Sequence, residues 1–213
     1  MAIYQATAVA RRLKKSLGEQ TFCRNRGRDV VKMKVEENTS NTPLQQRHRL
    51  AWKRKLELEE LFDEASYIGF PKRPEFQTFH NAFMQANGEV VEVNESLEVT
   101  VDYTRILCAQ GKLRVPKVMS VTCSADDRQL VFTHNAEKNG YKKREDDMLY
   151  AAVLEKELEE LEVLELNRRS EDESVIFQMP EDWVVEQLAV YVFVLSKDKH
   201  KASNSVYMEV KQA

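Results

Sequence analysis

The stretch Leu188-Ala189-Val190-Tyr191-Val192-Phe193-Val194-Leu195 is a run of eight apolar residues, and it decides the fold. A short run of this kind, rich in β-branched and aromatic residues, is typical of a central strand buried on both faces. A polar loop over residues 196–202 follows it. We predict a last strand over 203–210, because Val206, Met208 and Val210 fall on one face.

Other segments of the C-terminal half carry the same signal. Short strand patterns occupy residues 118–124, 129–134 and 175–177. With the two strands above and two more between 147 and 168, the region holds seven short strands within about 95 residues. This spacing is typical of a fibronectin-like or immunoglobulin-like β-sandwich, which we predict for residues 116–213.

Two interpretations stay open for residues 147–168. The Leu- and Glu-rich run from Leu154 to Leu166 has high helix propensity and favours a helix. The alternative is two strands, at about 147–155 and 161–168, joined by a charged turn. The flanking alternation of apolar residues favours these strands; it comprises Met148, Tyr150, Ala152 and Leu154, then Leu164 and Leu166.

The N-terminal part is predicted to hold a flexible arm, residues 1–16, and then a basic hairpin plus helix, residues 17–64. The hairpin turn is expected within Arg24-Asn25-Arg26-Gly27-Arg28, because Asn and Gly tolerate positive φ. The helix is expected from residue 43 to about 64. Its start, Thr42-Pro43-Leu44-Gln45, combines an N-cap, a proline in the first turn and a capping-box glutamine.

Residues 65–115 are predicted to be a helix and β connector region. A short second helix is expected at about 75–87, with a stripe formed by Phe76, Phe79, His80, Phe83 and Met84. Period-two alternation predicts a strand near 97–103. The predicted fold class is therefore α+β, mostly β, with a basic hairpin and helix, a short second helix and a C-terminal sandwich.

Charge is divided unevenly along the chain. Residues 1–55 hold 14 Lys and Arg against 4 Asp and Glu, a net charge of +10. Residues 56–213 hold 18 against 31, a net charge of −13, so the two parts give the overall −3. A basic head on an acidic body favours contact with nucleic acid, or with the acidic body of a neighbouring copy.

Motifs of the common catalytic sites are missing from the sequence. The six glycines are scattered, so no phosphate-binding loop is expected, and no serine lies in a nucleophile elbow. The four histidines, His48, His80, His134 and His200, lack ligand spacing. We therefore predict a protein that is not an enzyme and has no metal, no cofactor and no small-molecule substrate, with His80 as a core or edge residue.

The sequence also bears on location. No stretch approaches the ~20 apolar residues that cross a membrane. The mildly apolar first ten residues precede Arg11-Arg12, which is the wrong order for a secretory signal. Cys23, Cys108 and Cys123 are expected to be free thiols in a reducing compartment. The expected location is the cytoplasm, or a virion if the protein is phage-encoded.

A family resemblance covers nearly the whole chain. Its marks near the N-terminus are Leu17-Gly18, Arg26-Gly27-Arg28 and the helix start at Asn41-Thr42-Pro43. Later marks are Gly69-Phe70, Asn81, Asn87, Gln110-Gly111-Lys112-Leu113, Asp147, Arg168-Arg169 and Ser203-Asn204-Ser205-Val206-Tyr207. The chain resembles an uncharacterised family of proteins of about this length, common in Bacteroidota. The resemblance implies the architecture above, no known activity, and a structural role with a link to phage or other mobile-element particles.

These observations together predict a structural or assembly protein that docks through its basic head. The partner is another protein or further copies of the chain in a larger assembly, with nucleic acid as the alternative and no membrane contact. Aromatic side chains for stacking on bases are sparse in the head, which favours a protein partner. The residues expected to bind are Arg24, Arg26, Arg28, Arg47, Arg49, Trp52, Lys53 and Arg54.

Overall fold

The computed structural model describes residues 2–3, 15–34, 41–117, 119–124 and 128–212, with only the backbone described at 2–3. Most of the predicted arm, including residues 4–14, lies outside them. The helices of the described part are α1 (Pro43–Leu61), α2 (Asp63–Gly69) and α3 (Phe79–Ala86). Its strands are β1 (Ala2–Ile3), β2 (Lys15–Leu17), β3 (Gln20–Asn25), β4 (Arg28–Met33), β5 (Val91–Val93), β6 (Val99–Val101), β7 (Met119–Ser124), β8 (Gln129–His134), β9 (Met148–Glu155), β10 (Glu160–Arg168), β11 (Val175–Gln178), β12 (Leu188–Leu195), β13 (Val206–Met208) and β14 (Val210–Gln212).

The chain divides into two units, residues 1–45 and 46–213. The first unit contains an antiparallel sheet of order β1-β4-β3-β2. Strands β3 and β4 form the predicted hairpin around a two-residue turn. The turn residues are Arg26 and Gly27, with φ of 48° and 81°. Positive φ at both positions matches the twist of the paired strands, so Arg26, instead of Asn25, takes the first turn position.

Two four-stranded sheets form the predicted sandwich, with orders β10-β9-β12-β13 and β11-β8-β7-β14. Val121 and Phe132 of the second sheet share a buried core with Ala151 and Val192 of the first. Counted from β7, the first, second and fifth strands (β7, β8 and β11) lie in one sheet. The third, fourth and sixth (β9, β10 and β12) lie in the other. This arrangement is that of fibronectin-like and immunoglobulin-like domains, as predicted.

The last strand differs from its prediction. Residues 203–210 do not form one strand; instead β13 and β14 are separated at Glu209. β13 pairs with β12 in one sheet, whereas β14 pairs in parallel with β7 in the other. A strand that changes sheets in this way links the two halves of the sandwich at its open edge.

Residues 147–168 form two strands, so the strand interpretation is confirmed and the helix is wrong. Strands β9 and β10 pair from Glu155–Glu160 to Met148–Arg168 around a turn at residues 156–159. The buried carboxylate of Glu155 accepts hydrogen bonds from the backbone N–H groups of Glu157 (2.8 Å) and Leu158 (2.6 Å). Burial of β9 on both faces overrides the helix propensity of this sequence.

Helices cover the face of the β9–β12 sheet that is turned away from the other sheet. Leu58, Phe62 and Phe83 pack there against Ala152 and Tyr191. The β12 strand is therefore buried on both faces over its whole length, as the sequence predicts. The sandwich does not stand alone from residue 116, because its core continues into the helical layer of the same unit.

The helices differ in their bounds from the predictions. The capping box is present: Thr42 N–H donates to Gln45 Oε1 (3.1 Å), and Gln45 N–H donates to Thr42 Oγ1 (3.3 Å). The first helix ends at Leu61, three residues earlier than predicted, and a short second one follows. The helix predicted at 75–87 begins later, behind the N-cap Thr78. No helix in the described part of the chain is long and apolar enough to cross a membrane.

Candidate docking surfaces

The hairpin places its three predicted arginines on an exposed surface, but not on one face. Arg24 pairs with Asp29 across the hairpin, and Arg28 pairs with Asn25. Because neighbouring pairs in a sheet point to opposite sides, Arg24 and Arg28 lie on opposite faces. Arg26 stands at the turn between them, and the three side chains surround the tip of the hairpin.

The first turns of α1 carry the other predicted residues. Arg49 and Lys53 are four residues apart and exposed, so they lie on one side of the helix. Trp52 is 50% exposed and its ring stacks on His48, with 6.5 Å between ring centroids. Arg47 is half-buried. Arg49, Lys53 and Trp52 therefore form an exposed surface, and Arg47 contributes less to it.

Arg54 has a different role from the one predicted. Its guanidinium contacts Glu57 at 3.1 Å and Glu159 at 2.5 Å, and it donates to the hydroxyl of Tyr103. Burial lowers the pKa of Arg54, but the hydrogen bonds that Arg54 donates to Glu159, Glu57 and Tyr103 outweigh burial and raise the pKa overall. This arginine ties α1 to the β9–β10 turn, so it is a structural residue and not part of a docking surface.

An acidic surface lies on the other unit, at the edge strand β10 and the turn before it. We call it the acidic edge; its residues are Glu157, Glu159, Glu160 and Glu162, and all four are exposed. Sequence reasoning found the excess of acidic residues but not this concentration, because the segment had two interpretations. Strand β10 and the turn before it place these four exposed carboxylates along one edge of the sheet, and Glu159 among them pairs with Arg54.

Several residues that carry the family resemblance turn out to hold loops together. Asn87 accepts from the N–H of Leu107 (2.8 Å) and donates to its carbonyl (2.9 Å). Ser205 Oγ accepts from the N–H of Cys108 (3.0 Å), and Asn204 Oδ1 accepts from the N–H of Gly111 (3.0 Å). These contacts join segment 106–111 to α3 and to the loop before β13.

The buried pair Asp147 and Arg169 also carries the family resemblance and also holds loops together. Arg169 is fully buried; it donates to Glu137 at 2.9 Å and to the carbonyl of Arg114. Its Nε lies 3.4 Å from Asp147 Oδ2. Asn87, Asp147, Arg169, Asn204 and Ser205 thus make structural contacts within the second unit.

The four histidines lie in different elements of the fold. His134 contacts the carbonyl of Arg168, and His200 lies in the exposed loop after β12. His80 is an edge residue of α3, and its Nδ1 contacts Glu59 and lies 3.6 Å from Asp63 Oδ1. Sequence reasoning missed this grouping, since His80 is far from both carboxylates along the chain.

A family model described as "Family of unknown function (DUF6266)" matches residues 16–209. No curated protein matches the chain. Among solved structures, the adhesin domain of Epf from Streptococcus pyogenes is similar with 14% identity and a TM-score of 0.31, over 47% of this chain and 34% of that one. The chain thus spans about a third of that structure's length, and a likeness at this score carries no argument.

Proposed function

Because the chain belongs to DUF6266, a family of unknown function, we propose its role from its own surfaces: it is a non-catalytic assembly protein that docks on further copies of itself. Membership confirms the resemblance seen in the sequence, but it transfers no activity. The distribution in Bacteroidota and the link to phage or mobile-element particles stay predictions.

The observation that carries the proposal is the separation of exposed charge between the two units. The described residues of the first unit include six Lys and Arg against two Asp and Glu, and all six cations are exposed: Lys15, Arg24, Arg26, Arg28, Lys32 and Lys34. The acidic edge of the second unit is exposed as well. Opposite charges on two exposed surfaces of one chain favour contact between copies, in which the basic first unit of one copy binds the acidic edge of another.

Charge by itself gives steering and specificity more than affinity. Apolar contact area is available beside the cations, because Leu17 and Met33 of the hairpin sheet are 72% and 60% exposed. On α1, Trp52 is 50% exposed. Tryptophan and arginine are the residue types that most often dominate binding energy at protein interfaces. Basic surfaces with apolar side chains, on the hairpin and on α1 separately, suit a protein partner.

Association measured against salt tests the proposal. Size-exclusion chromatography with light scattering is run on the whole chain at about 50 mM and about 500 mM salt, where screening differs strongly. We expect assemblies at low salt that dissociate at high salt. A monomer at low salt and at every concentration contradicts the proposal.

A charge-reversed variant identifies the surface. Arg28→Glu with Lys32→Glu reverses two exposed cations on one face of β4, and neither lies opposite an acidic residue in the hairpin. This variant is expected to stay monomeric at low salt. The matched control, Lys138→Glu with Lys211→Glu, makes the same change in net charge at exposed sites of the second unit and is expected to assemble normally.

Nucleic acid is the second candidate partner, because exposed arginines also suit phosphates. The variant Arg28→Glu with Lys32→Glu distinguishes nucleic-acid binding from assembly with further copies. Salt-sensitive gel shifts of DNA or RNA that the variant abolishes, together with a monomeric free protein, favour nucleic-acid binding. The absence of any shift at about 50 mM salt removes this candidate.

A further inference from the structure

Three side chains with metal-binding atoms meet where the three helices come together. Glu59 lies in the last turns of α1, Asp63 begins α2, and His80 lies in the first turn of α3. One carboxylate oxygen of each acid and His80 Nδ1 all lie within 4.8 Å of one another. His80 Nδ1 contacts Glu59 Oε1 and is 3.6 Å from Asp63 Oδ1.

Two carboxylates face a single imidazole in this group. Glu59 is only 9% exposed, so its carboxylate is largely removed from water. Within the part of the chain that the structure describes, neither Glu59 nor Asp63 has a lysine or arginine in salt-bridge range; the imidazole of His80 is the basic group that both contact. A largely buried carboxylate needs a cation or strong hydrogen-bond donors, because burial without them is costly.

The backbone under the group is held by aromatic packing. Phe62, between Glu59 and Asp63 in the chain, is fully buried; its ring lies 5.7 Å from the ring of Phe83 in α3 and 5.4 Å from that of Tyr191 in β12. The helices that carry the three donors are therefore fixed relative to one another. Asp63 and His80 are 54% and 47% exposed, so their side chains have room to adjust around an ion.

The geometry points to a binding site for a divalent transition-metal ion of the zinc class, formed by Glu59, Asp63 and His80. Zinc bonds of about 2.0–2.2 Å place ligand atoms roughly 3.3–3.6 Å apart, which small side-chain adjustments of this group reach. An imidazole nitrogen with two carboxylates suits zinc, cobalt or manganese better than calcium or magnesium, which prefer oxygen ligands alone. Three protein ligands leave one position to water.

This inference does not rest on the assembly proposal. Its site lies within a single unit, and it concerns a bound ion and not a partner chain. An ion there joins the ends of α1, α2 and α3, so binding to the folded state stabilises the fold by mass action.

Calorimetric titration of the whole chain with zinc chloride, after removal of metal by a chelator, tests the site. Cys23 is a half-exposed thiol that competes for zinc, so the titrations use a Cys23→Ser background. We expect one saturable ion per chain. Cobalt chloride in place of zinc is expected to give visible absorption bands typical of low-coordinate cobalt bound to protein ligands.

Variants assign the ligands. Glu59→Gln and His80→Ala are each expected to weaken zinc affinity by at least about tenfold, since changes at metal-site residues commonly have effects of this size. Asp63→Asn, at an exposed position with little effect on folding, is expected to do the same. The matched control His200→Ala removes an exposed imidazole elsewhere and leaves the affinity unchanged.

The results that overturn the inference are equally specific. Absence of a saturable site means that Glu59 and His80 form only a side-chain contact between two helices. Binding of equal strength in wild type, His80→Ala and Asp63→Asn means that zinc is held by scattered carboxylates. Circular dichroism of each variant identifies any loss of fold, and Asp63→Asn decides the case if the other two do not fold.

Discussion

Arg169 and Asp147 form an ion pair inside the protein: Arg169 Nε lies 3.4 Å from Asp147 Oδ2, with 0% and 1% of the two side chains exposed. The pair joins the start of β9 to the end of β10, where Arg169 N–H also donates to the carbonyl of Asp147 (2.9 Å). Through Glu137 and the carbonyl of Arg114, the same guanidinium holds two loops at this end of the sandwich.

Removal of this guanidinium is expected to be costly. Arg169→Met leaves Asp147 and Glu137 without their buried cation, and loss of one partner of a buried pair costs about 3–5 kcal/mol. Urea unfolding followed by circular dichroism measures the change. Arg168→Met is the matched control, because Arg168 is exposed, and it is expected to lie within about 0.5 kcal/mol of wild type. Equal stability of the two variants contradicts a structural role for the pair.

Acid stability depends on Glu137 in the same cluster. Burial raises the pKa of Glu137, but hydrogen bonds from the Lys117 N–H, Lys143 and Arg169 lower it overall below the usual value. A lowered folded pKa means that this group stabilises the fold above its unfolded pKa of about 4.3 and loses the effect as pH falls through the folded value. Burial raises the pKa of Asp147, which acts in the opposite direction.

Glu137→Gln removes the carboxyl group of Glu137 and leaves that of Asp147 in place. The variant therefore separates the contributions of the two acids to the pH dependence of stability. This variant is expected to be less stable than wild type at neutral pH, and its stability is expected to fall less steeply below about pH 4. The free energy of unfolding measured in urea between pH 7 and pH 3 gives both slopes. Parallel curves for wild type and variant contradict the assignment of this acid dependence to Glu137.

Gly111 is expected to tolerate no side chain. A Cβ there would lie 1.9 Å from the carbonyl oxygen of Ala202, in the loop after β12. Gly111→Ala therefore forces the two segments apart, and we expect a loss of about 1–3 kcal/mol in thermal unfolding. At Gly88 the nearest atom to an added Cβ is 3.8 Å away, so Gly88→Ala is expected to lie within about 1 kcal/mol of wild type. A Gly111→Ala variant as stable as Gly88→Ala contradicts the close approach.

The three thiols are expected to differ in reactivity. Burial raises the pKa of Cys108 to about 12 and also raises that of Cys123, so both stay protonated and covered near neutral pH. Cys23 is half-exposed. A thiol-specific chromogenic reagent is expected to modify one thiol per chain quickly in the native state and three in denaturant. Fast reaction of a second native thiol contradicts the burial of the other two.

The strands were predictable where burial follows a simple period. Leu188–Leu195 has apolar residues on both faces because helices and a second sheet cover it, and the sequence shows this directly. The capping box at Thr42 was predictable for a similar reason, since its two hydrogen bonds depend on residues three apart. Local chemistry is sufficient in such places.

Non-local contacts decide the rest. The separation of β13 from β14 depends on which sheet each segment meets, and no property of Glu209 indicates it. Arg54 and Lys53 are adjacent cations on the same helix, so the sequence does not distinguish them. Only Arg54 contacts Glu159 and Tyr103, which are distant along the chain. The approach of His80 to Glu59 likewise requires the packing of three helices.

A charge exchange between two variants tests the central claim, which is that the basic hairpin of one copy docks on the acidic edge of another. One variant carries Arg28→Glu with Lys32→Glu, and the other carries Glu157→Lys with Glu162→Lys. Sedimentation velocity at low salt is measured for each alone and for an equal mixture. The account predicts monomers for each variant alone and assemblies in the mixture, because only the mixture contains opposite charges on the two surfaces. A mixture that stays monomeric while wild type assembles, or a wild type that never assembles, contradicts it.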